Sequence, residues 1–266
     1  HNIQMESNNK KEISRREFLR DVGVMGVAGV ALGMFPWLKG CSTEASKEIS
    51  GELAKLAVIG TGSRGMYHVK ALAKLQGVEL TAFCDTYEPN LKKAASIAPG
   101  ARLYSNYRRL LEDKNVHGLI IATPPATHAA IAIEALDADK HVLCEKSMAL
   151  SMEECKAMYD ARKRSGRVML VGQQRLFDPK YIRAMEMIRK GDIGQVVNIR
   201  NYWFRNGDWR RQVPDGLTDR DMNWRLYREL SRGLMTELAC HQLQNGSWAL
   251  GMMPEKVMGS GGIVYW

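Results

Sequence analysis

The sequence predicts an α/β fold built on a parallel sheet with helices on both faces, and three observations carry that prediction. Four apolar residues, Leu56 to Ile59, run straight into Gly60-Thr61-Gly62-Ser63-Arg64-Gly65 and then into a helical pattern. From Leu53 to Val171 short apolar runs alternate with stretches of helical periodicity, the pattern of parallel strands joined by crossover helices. The second apolar run, Val78 to Cys84, ends in an acid, Asp85. A 266-residue chain with 45% hydrophobic and 25% charged residues has the composition of a soluble globular protein and enough apolar material for one to two domains.

Taken in order, the chain opens on Ser14-Arg15-Arg16-Glu17-Phe18-Leu19-Arg20, followed by seventeen uncharged residues, Val22 to Leu38, diluted by four glycines. The run is too mildly apolar for a membrane span, which needs about 20 strongly apolar residues, and lacks the polar face of an amphipathic helix. It resembles a twin-arginine export signal. That resemblance implies the twin-arginine machinery as a partner, a periplasmic destination, and a protein that folds, and can load its cofactor, before export. Leu38-Lys39-Gly40-Cys41 resembles a lipobox with an atypical lysine, which implies a lipid anchor at Cys41; an ordinary soluble periplasmic protein stays open. Residues 1–41 are therefore expected to be a leader and 42–52, small and polar, a tether.

The other four cysteines, Cys84, Cys144, Cys155 and Cys240, sit in or beside apolar runs without metal-ligand spacing, so they read as buried thiols and no metal is expected. Net charge is +9, of which the first 41 residues contribute only two, leaving a surplus that suits an anionic substrate or simply solubility. No basic helix or nucleic-acid motif accompanies it, so nucleic acid is not expected as a partner. The chain starts at His1 and stops at Trp266 inside a strand-like run, and is read as a fragment of a longer protein.

From Leu53 the expected elements are the Leu56 strand, a helix from Met66 to Leu75, the Val78–Cys84 strand, a helix from Pro89 to Ile97, and a short strand from Arg102 to Tyr104. A helix from Tyr107 to Glu112 and a strand from Gly118 to Ala122 follow. Thr123-Pro124-Pro125-Ala126-Thr127-His128 then opens a helix to Leu136. The strand His141–Cys144 ends in Glu145-Lys146-Ser147; a helix from Ser151 to Arg164 and the strand Val168–Val171 close the series. Residues 53–172 are thus one nucleotide-binding domain.

The glycines say what that domain holds. Gly60 allows a tight turn, Gly62 lets backbone approach a pyrophosphate, Gly65 lets the helix pack on its strand, and the helix N-terminus offers N–H groups to phosphates. Thr61, Ser63 and Arg64 lie in the same loop. An acid about 20 residues beyond the glycines is placed to read a ribose 2′-hydroxyl, so Asp85 favours NAD over NADP; Lys92 and Lys93 nearby keep NADP open.

Several motifs together resemble the glucose-fructose oxidoreductase, inositol dehydrogenase and MocA (Gfo/Idh/MocA) family. They are GTGSRG at Gly60 to Gly65, ATPPATH at Ala122 to His128, HVLCEKS at His141 to Ser147, VGQQRLFDP at Val171 to Pro179 and GLMTELACHQLQ at Gly233 to Gln244. The resemblance implies a Rossmann domain followed by a C-terminal α/β domain on an open, mainly antiparallel sheet, here incomplete and covering residues 173–266. Within it a strand near Val196 to Phe204, a helix from Leu234 to Leu250 and a strand starting after Glu255 are expected. It also implies an oligomer of like subunits at full length. By the same resemblance Thr123, Pro124, His128, Glu145 and Lys146 join the cofactor site.

Lys146 stands at the position of the family's EKP lysine, with Ser147 in place of the proline. Desolvated there, a lysine lowers its pKa and can exchange a proton with a sugar hydroxyl. Glu237 and His241, four apart on one helix face, are expected to assist that transfer; Gln244 stands where the family's HxxD pattern has an aspartate. Arg175, Trp209 and Arg210 are the candidate substrate residues, in a stretch where aromatics alternate with arginines able to bind carboxylates or sulfates. The implied activity is that of an exported NAD-dependent oxidoreductase acting on a sugar or sugar derivative. Two alternatives are a glycoside hydrolase working through transient NAD oxidation and a non-catalytic, lipid-anchored carbohydrate-binding protein.

Overall fold

A computed structural model describes residues 53–204 and 207–262. Arg15, Arg16 and Cys41, on which the export and lipid expectations rest, lie outside the described residues. Among those described, no helix is long and apolar enough to cross a membrane, and no cluster of ligand-type side chains could hold a metal.

Six strands, β1 (Ala54–Ile59), β2 (Val78–Cys84), β3 (Arg102–Tyr104), β4 (Gly118–Ile121), β5 (His141–Glu145) and β6 (Met169–Gly172), form one sheet in the order β3-β2-β1-β4-β5-β6. Every neighbouring pair is parallel. Five helices cross between them: α1 (Ser63–Leu72), α2 (Glu88–Ala95), α3 (Tyr107–Leu111), α4 (His128–Asp137) and α5 (Met152–Ser165). The expected alternation is thus the observed one, with ends displaced by a residue or two at most positions.

The apolar runs read as continuous because both faces of the sheet are covered. Side chains alternate sides along a strand, so Ala57, Ile59, Leu119, Ile121, Val142 and Cys144 enter one core, packed by α3, α4 and α5. Val58, Phe83 and Ile120 enter the other, against Val69 of α1 and Leu91 of α2. Phe83 is fully buried, a contribution of roughly 1.5–3 kcal/mol for a side chain of its kind. Strand order reverses between β1 and β4, which opens a crevice at their carboxyl ends where ligands of such sheets bind. Helix α5 shows how firmly local sequence sets an element. Ser151 and Glu154 form a reciprocal capping box at its start, and Gly166, at φ +67°, ends it in the left-handed region.

Beyond β6 come α6 (Pro179–Arg189), α7 (Asp219–Met222), α8 (Arg228–Ser231), a π-helical turn Met235–Ala239 and α9 (Cys240–Leu250). The helix expected over 234–250 is present with its first turn widened. The strand expected near 196–204 is not formed, and residues 255–262 carry no ladder either; the rest of the strand expected after 255 lies outside the described residues. A strand needs a neighbour to take its backbone N–H and C=O groups, and no other described residue of the C-terminal region forms one.

The described residues divide into two compact units: 53–173 with 203–204 and 207–240, and 174–202 with 241–262. In the first, the arm 207–240 is tied to loops at the carboxyl ends of three strands. Tyr87, after β2, donates its hydroxyl to the Asp215 carbonyl at 3.4 Å. Helix α8 packs on the 3-10 turn Pro125–Thr127 after β4, and Lys146 and Ser147, after β5, bond to the π-helical turn.

Candidate active site

The turn between β1 and α1 is a cradle that only glycine fits. Gly60 has φ +84°, and a Cβ there would lie 2.9 Å from the Ala122 carbonyl; one on Gly65 would lie 1.8 Å from the Gly60 oxygen. Gly62 faces open space, its nearest neighbour in that direction being Asn90 Nδ2 at 3.8 Å. Helix α1 starts at Ser63 with no side-chain cap and no acid in its first turn, leaving its first N–H groups for an anion. These residues fit a dinucleotide pyrophosphate.

Asp85 does more than the sequence suggests. Its Oδ2 accepts from Thr61 N at 2.8 Å, Thr61 Oγ1 at 3.1 Å and Asn90 Nδ2 at 3.2 Å, and its Oδ1 accepts from Tyr87 N at 2.9 Å. The carboxylate therefore braces the glycine turn, and Oδ1 retains the acceptor capacity a ribose hydroxyl would use. Lys92 is engaged with Glu88 at 2.9 Å.

Arg64 and His68, one turn apart on α1, both reach Glu145 at the end of β5: Arg64 Nε lies 2.6 Å and His68 Nε2 2.7 Å from Oε1. Burial pushes the Glu145 carboxyl up, but His68 and Arg64 hold it below the usual carboxylate range. Its side chain lies against Gly172, where a Cβ would come within 3.2 Å. Glu145 is buried and turned to these partners, so it links the cofactor helix to the strand that carries Lys146. His68 was missed in the sequence, although its spacing from Arg64 puts both on one face.

Lys146 Nζ donates to the Glu237 carbonyl at 2.7 Å and lies 3.5 Å from Glu237 Oε2. The buried Glu237 carboxylate also faces Arg225 Nε at 3.3 Å and takes the Ser231 hydroxyl at 3.2 Å. Ser147 Oγ donates to Thr236 O at 2.7 Å. Lys146, Glu237, Leu238 and Arg225 line one part of a cleft of about 270 Å³, and Asp208, Trp209 and Arg211 the rest.

His128, expected at the cofactor site, sits between two loops. It is fully buried, and its ring nitrogens lie 2.7 Å from Ser147 O and 2.9 Å from Thr123 O, so it ties the loop after β4 to the loop after β5. Thr123 and Pro124 remain at the carboxyl edge, with Thr127 Oγ1 donating to Thr123 Oγ1 at 2.7 Å or Pro124 O at 2.9 Å.

The candidate substrate residues separate. Trp209 lines the cleft, whereas Arg210 is paired with Asp219 at 2.6 Å and is not among the lining residues. Arg175 belongs to the other unit and stacks on Tyr181 at 5.3 Å. His241 is also in that unit, buried on α9. Arg211 and Arg225 are the cleft arginines.

Residues 54–173 match the family described as "Oxidoreductase family, NAD-binding Rossmann fold" and residues 181–265 match the "GFO/IDH/MocA C-terminal domain". A "Glycosyl hydrolase family 109 protein" of Shewanella baltica is 28% identical over 239 residues, 83% of this chain and 51% of that protein, so the chain spans about half the length of such relatives. Among solved structures, myo-inositol 2-dehydrogenase from Lactobacillus plantarum matches 55% of this chain and 44% of its own at 29% identity and a TM-score of 0.53. GenD2 from gentamicin A biosynthesis, solved in complex with NAD, matches 76% of this chain and 54% of its own at 25% identity and a TM-score of 0.62. The glycine cradle, the parallel sheet and these two consecutive family matches make one statement: the chain belongs to the Gfo/Idh/MocA family of NAD-binding Rossmann-fold oxidoreductases.

Proposed function

We propose that the chain works with NAD on a sugar or sugar derivative, moving hydride between a sugar carbon and the cofactor. The observation that carries this is the placement of Lys146. Its ammonium enters an aromatic- and arginine-lined cleft from the carboxyl end of β5, on the edge where the glycine cradle of β1 also opens. Bound NAD would supply the hydride acceptor. The chain's own part is at the hydroxyl proton: with one N–H on the Glu237 carbonyl and one directed towards its carboxylate, Lys146 keeps a third position for the substrate oxygen. Asp85 supports NAD over NADP, since a 2′-phosphate would meet its charge.

The name of the Shewanella relative favours a second net reaction. In that reading a sugar hydroxyl is oxidised, the aglycone is eliminated, water adds, and the sugar is reduced again, so no cofactor is consumed. An exported enzyme would benefit, because such a cycle needs no external NAD.

The test is single-turnover reduction of NAD, and exchange of substrate C–H hydrogen, on the full-length protein. Lys146→Ala should lower either rate by about 100- to 10,000-fold while NAD affinity stays near wild type; His241→Ala tests the second proton-transfer group in the same way. Glycoside cleavage without added cofactor by protein that retains NAD selects the hydrolytic cycle. Sugar binding with neither exchange nor cleavage would leave only the non-catalytic reading.

A further inference from the structure

Arginines are abundant in the arm 207–240, and the structure sorts them. Arg210 is paired with Asp219, Arg220 with Glu229, and Arg225 lies over Trp224 at 4.0 Å while bonding Glu237. Arg211, like Arg228 and Arg232, has no side chain on its guanidinium among the described residues, but of these three it alone lines the cleft with Lys146. Its backbone is nevertheless fixed. Asn223, 2% exposed, accepts from Arg211 N at 2.7 Å and donates to Arg211 O at 3.0 Å, and its amide also bonds Asp219 at 2.8 Å. A buried side chain thus holds one residue as a neighbouring strand would, and that residue offers a five-donor fork to the cleft.

The cleft lining carries three cations, Lys146, Arg211 and Arg225, against two carboxylates, Glu237 and Asp208, a surplus of one positive charge. Glu237 is faced by Lys146 and Arg225, and Asp208 accepts from the backbone Arg210 N at 2.8 Å. Trp209 contributes aromatic surface to the same lining. We infer that Arg211 is a specificity residue for an anionic substituent, a carboxylate or a sulfate ester, on the sugar bound beside Lys146. The inference rests on the sugar-directed reading of this cleft and narrows it to acidic sugars.

The experiment measures binding of glucose, glucuronate and glucose 6-sulfate to the full-length, NAD-loaded protein by titration calorimetry. At least one acidic sugar should bind at least about 10-fold tighter than glucose. Arg211→Gln should abolish that difference, Arg211→Lys should keep part of it, and Arg210→Gln should leave it intact. A carboxylate and a sulfate are told apart by which acidic sugar keeps the preference. The inference is overturned if no acidic sugar outbinds glucose, if the preference survives in Arg211→Gln, or if that variant instead loses NAD affinity. Hydride transfer is read separately: Arg211-dependent binding without C–H exchange would sink the redox reading alone, and NAD reduction by neutral sugars with no Arg211 dependence would sink the inference alone.

Discussion

At the residue scale, two side chains show how a cofactor motif is supported from beneath. Asp85 has four donors on it, so Asp85→Ala should weaken NAD by about 1.5–3 kcal/mol through loss of the ribose contact plus loosening of Thr61. NADP should lose less, since only the second effect applies to it. Titrating both cofactors into wild type and variant checks this, and equal losses would leave Asp85 with the bracing role alone. His128 is held below its ordinary pKa chiefly by burial, with its bonds to Ser147 and Thr123 opposing part of the effect. The unfolded ring therefore takes up a proton near ~6.5 before the folded one does. Its neutral, buried form contributes fully above that pH, and stability falls as the pH drops below it. The neutral ring carries one N–H and so bonds one of the two carbonyls at a time. His128→Phe should cost about 1–3 kcal/mol by leaving that carbonyl unsatisfied and should flatten the Tm-against-pH curve just below neutrality. A variant curve parallel to wild type would assign the acid sensitivity to other groups.

At the scale of elements, the first half of the fold was legible because each signal was local. Apolar runs buried on both faces, the glycine turn and the Ser151 capping box need only their own neighbours, and Lys146 could be placed from the strand it follows. What was not legible depends on pairings distant in sequence. The motif at Gly233 to Gln244 brought Glu237 to the Lys146 chemistry through the family resemblance, but nothing in Gly207 to Cys240 announces that Glu237 will also meet Arg225, or that Asn223 will clamp Arg211. The strand expected near 196–204 fails for a related reason, since β-propensity cannot provide the missing ladder partner. Glu145 is the link most open to test. Because Arg64 and His68 hold its carboxyl low, its contribution is present above the unfolded value near ~4.3 and lost as the pH falls through the folded one. Glu145→Gln keeps the shape but not the charge, so Arg64 loses its partner and the variant should be less stable at neutral pH by about 1–3 kcal/mol. The gap from wild type should hold down to about pH 4.3 and narrow below it. A gap constant with pH would mean that shape, not charge, joins α1 to β5.

At the scale of the molecule, the export expectation remains a proposal with a direct test: Arg15→Lys with Arg16→Lys should retain the full-length precursor in the cytoplasm, and secretion of the variant would overturn it. The arrangement of the compact units leads to a different measurement. Residues 207–240 fold with the parallel sheet although the chain passes through 174–202 first, so a fragment ending at Gln173 would contain all six strands of that sheet yet lack the arm that meets the loops at their carboxyl ends. Its Lys146 ammonium would lose the Glu237 carbonyl, Ser147 would lose Thr236, and the turn after β4 would lose α8. The polar partners re-solvate at the surface, so the main loss is packing and order at the carboxyl edge, while the two cores around β1, β2 and β4 persist. The glycine cradle and Asp85 use Asn90, the Tyr104 carbonyl and the Ala122–Thr123 turn, all within 53–173. A 53–173 fragment should therefore fold with reduced stability in urea and still bind NAD, with the loss of affinity confined to about 10-fold. Failure to fold at all would show that the arm is part of the sheet's folding unit, and undiminished stability would show that its contacts at Lys146 and Ser147 contribute little.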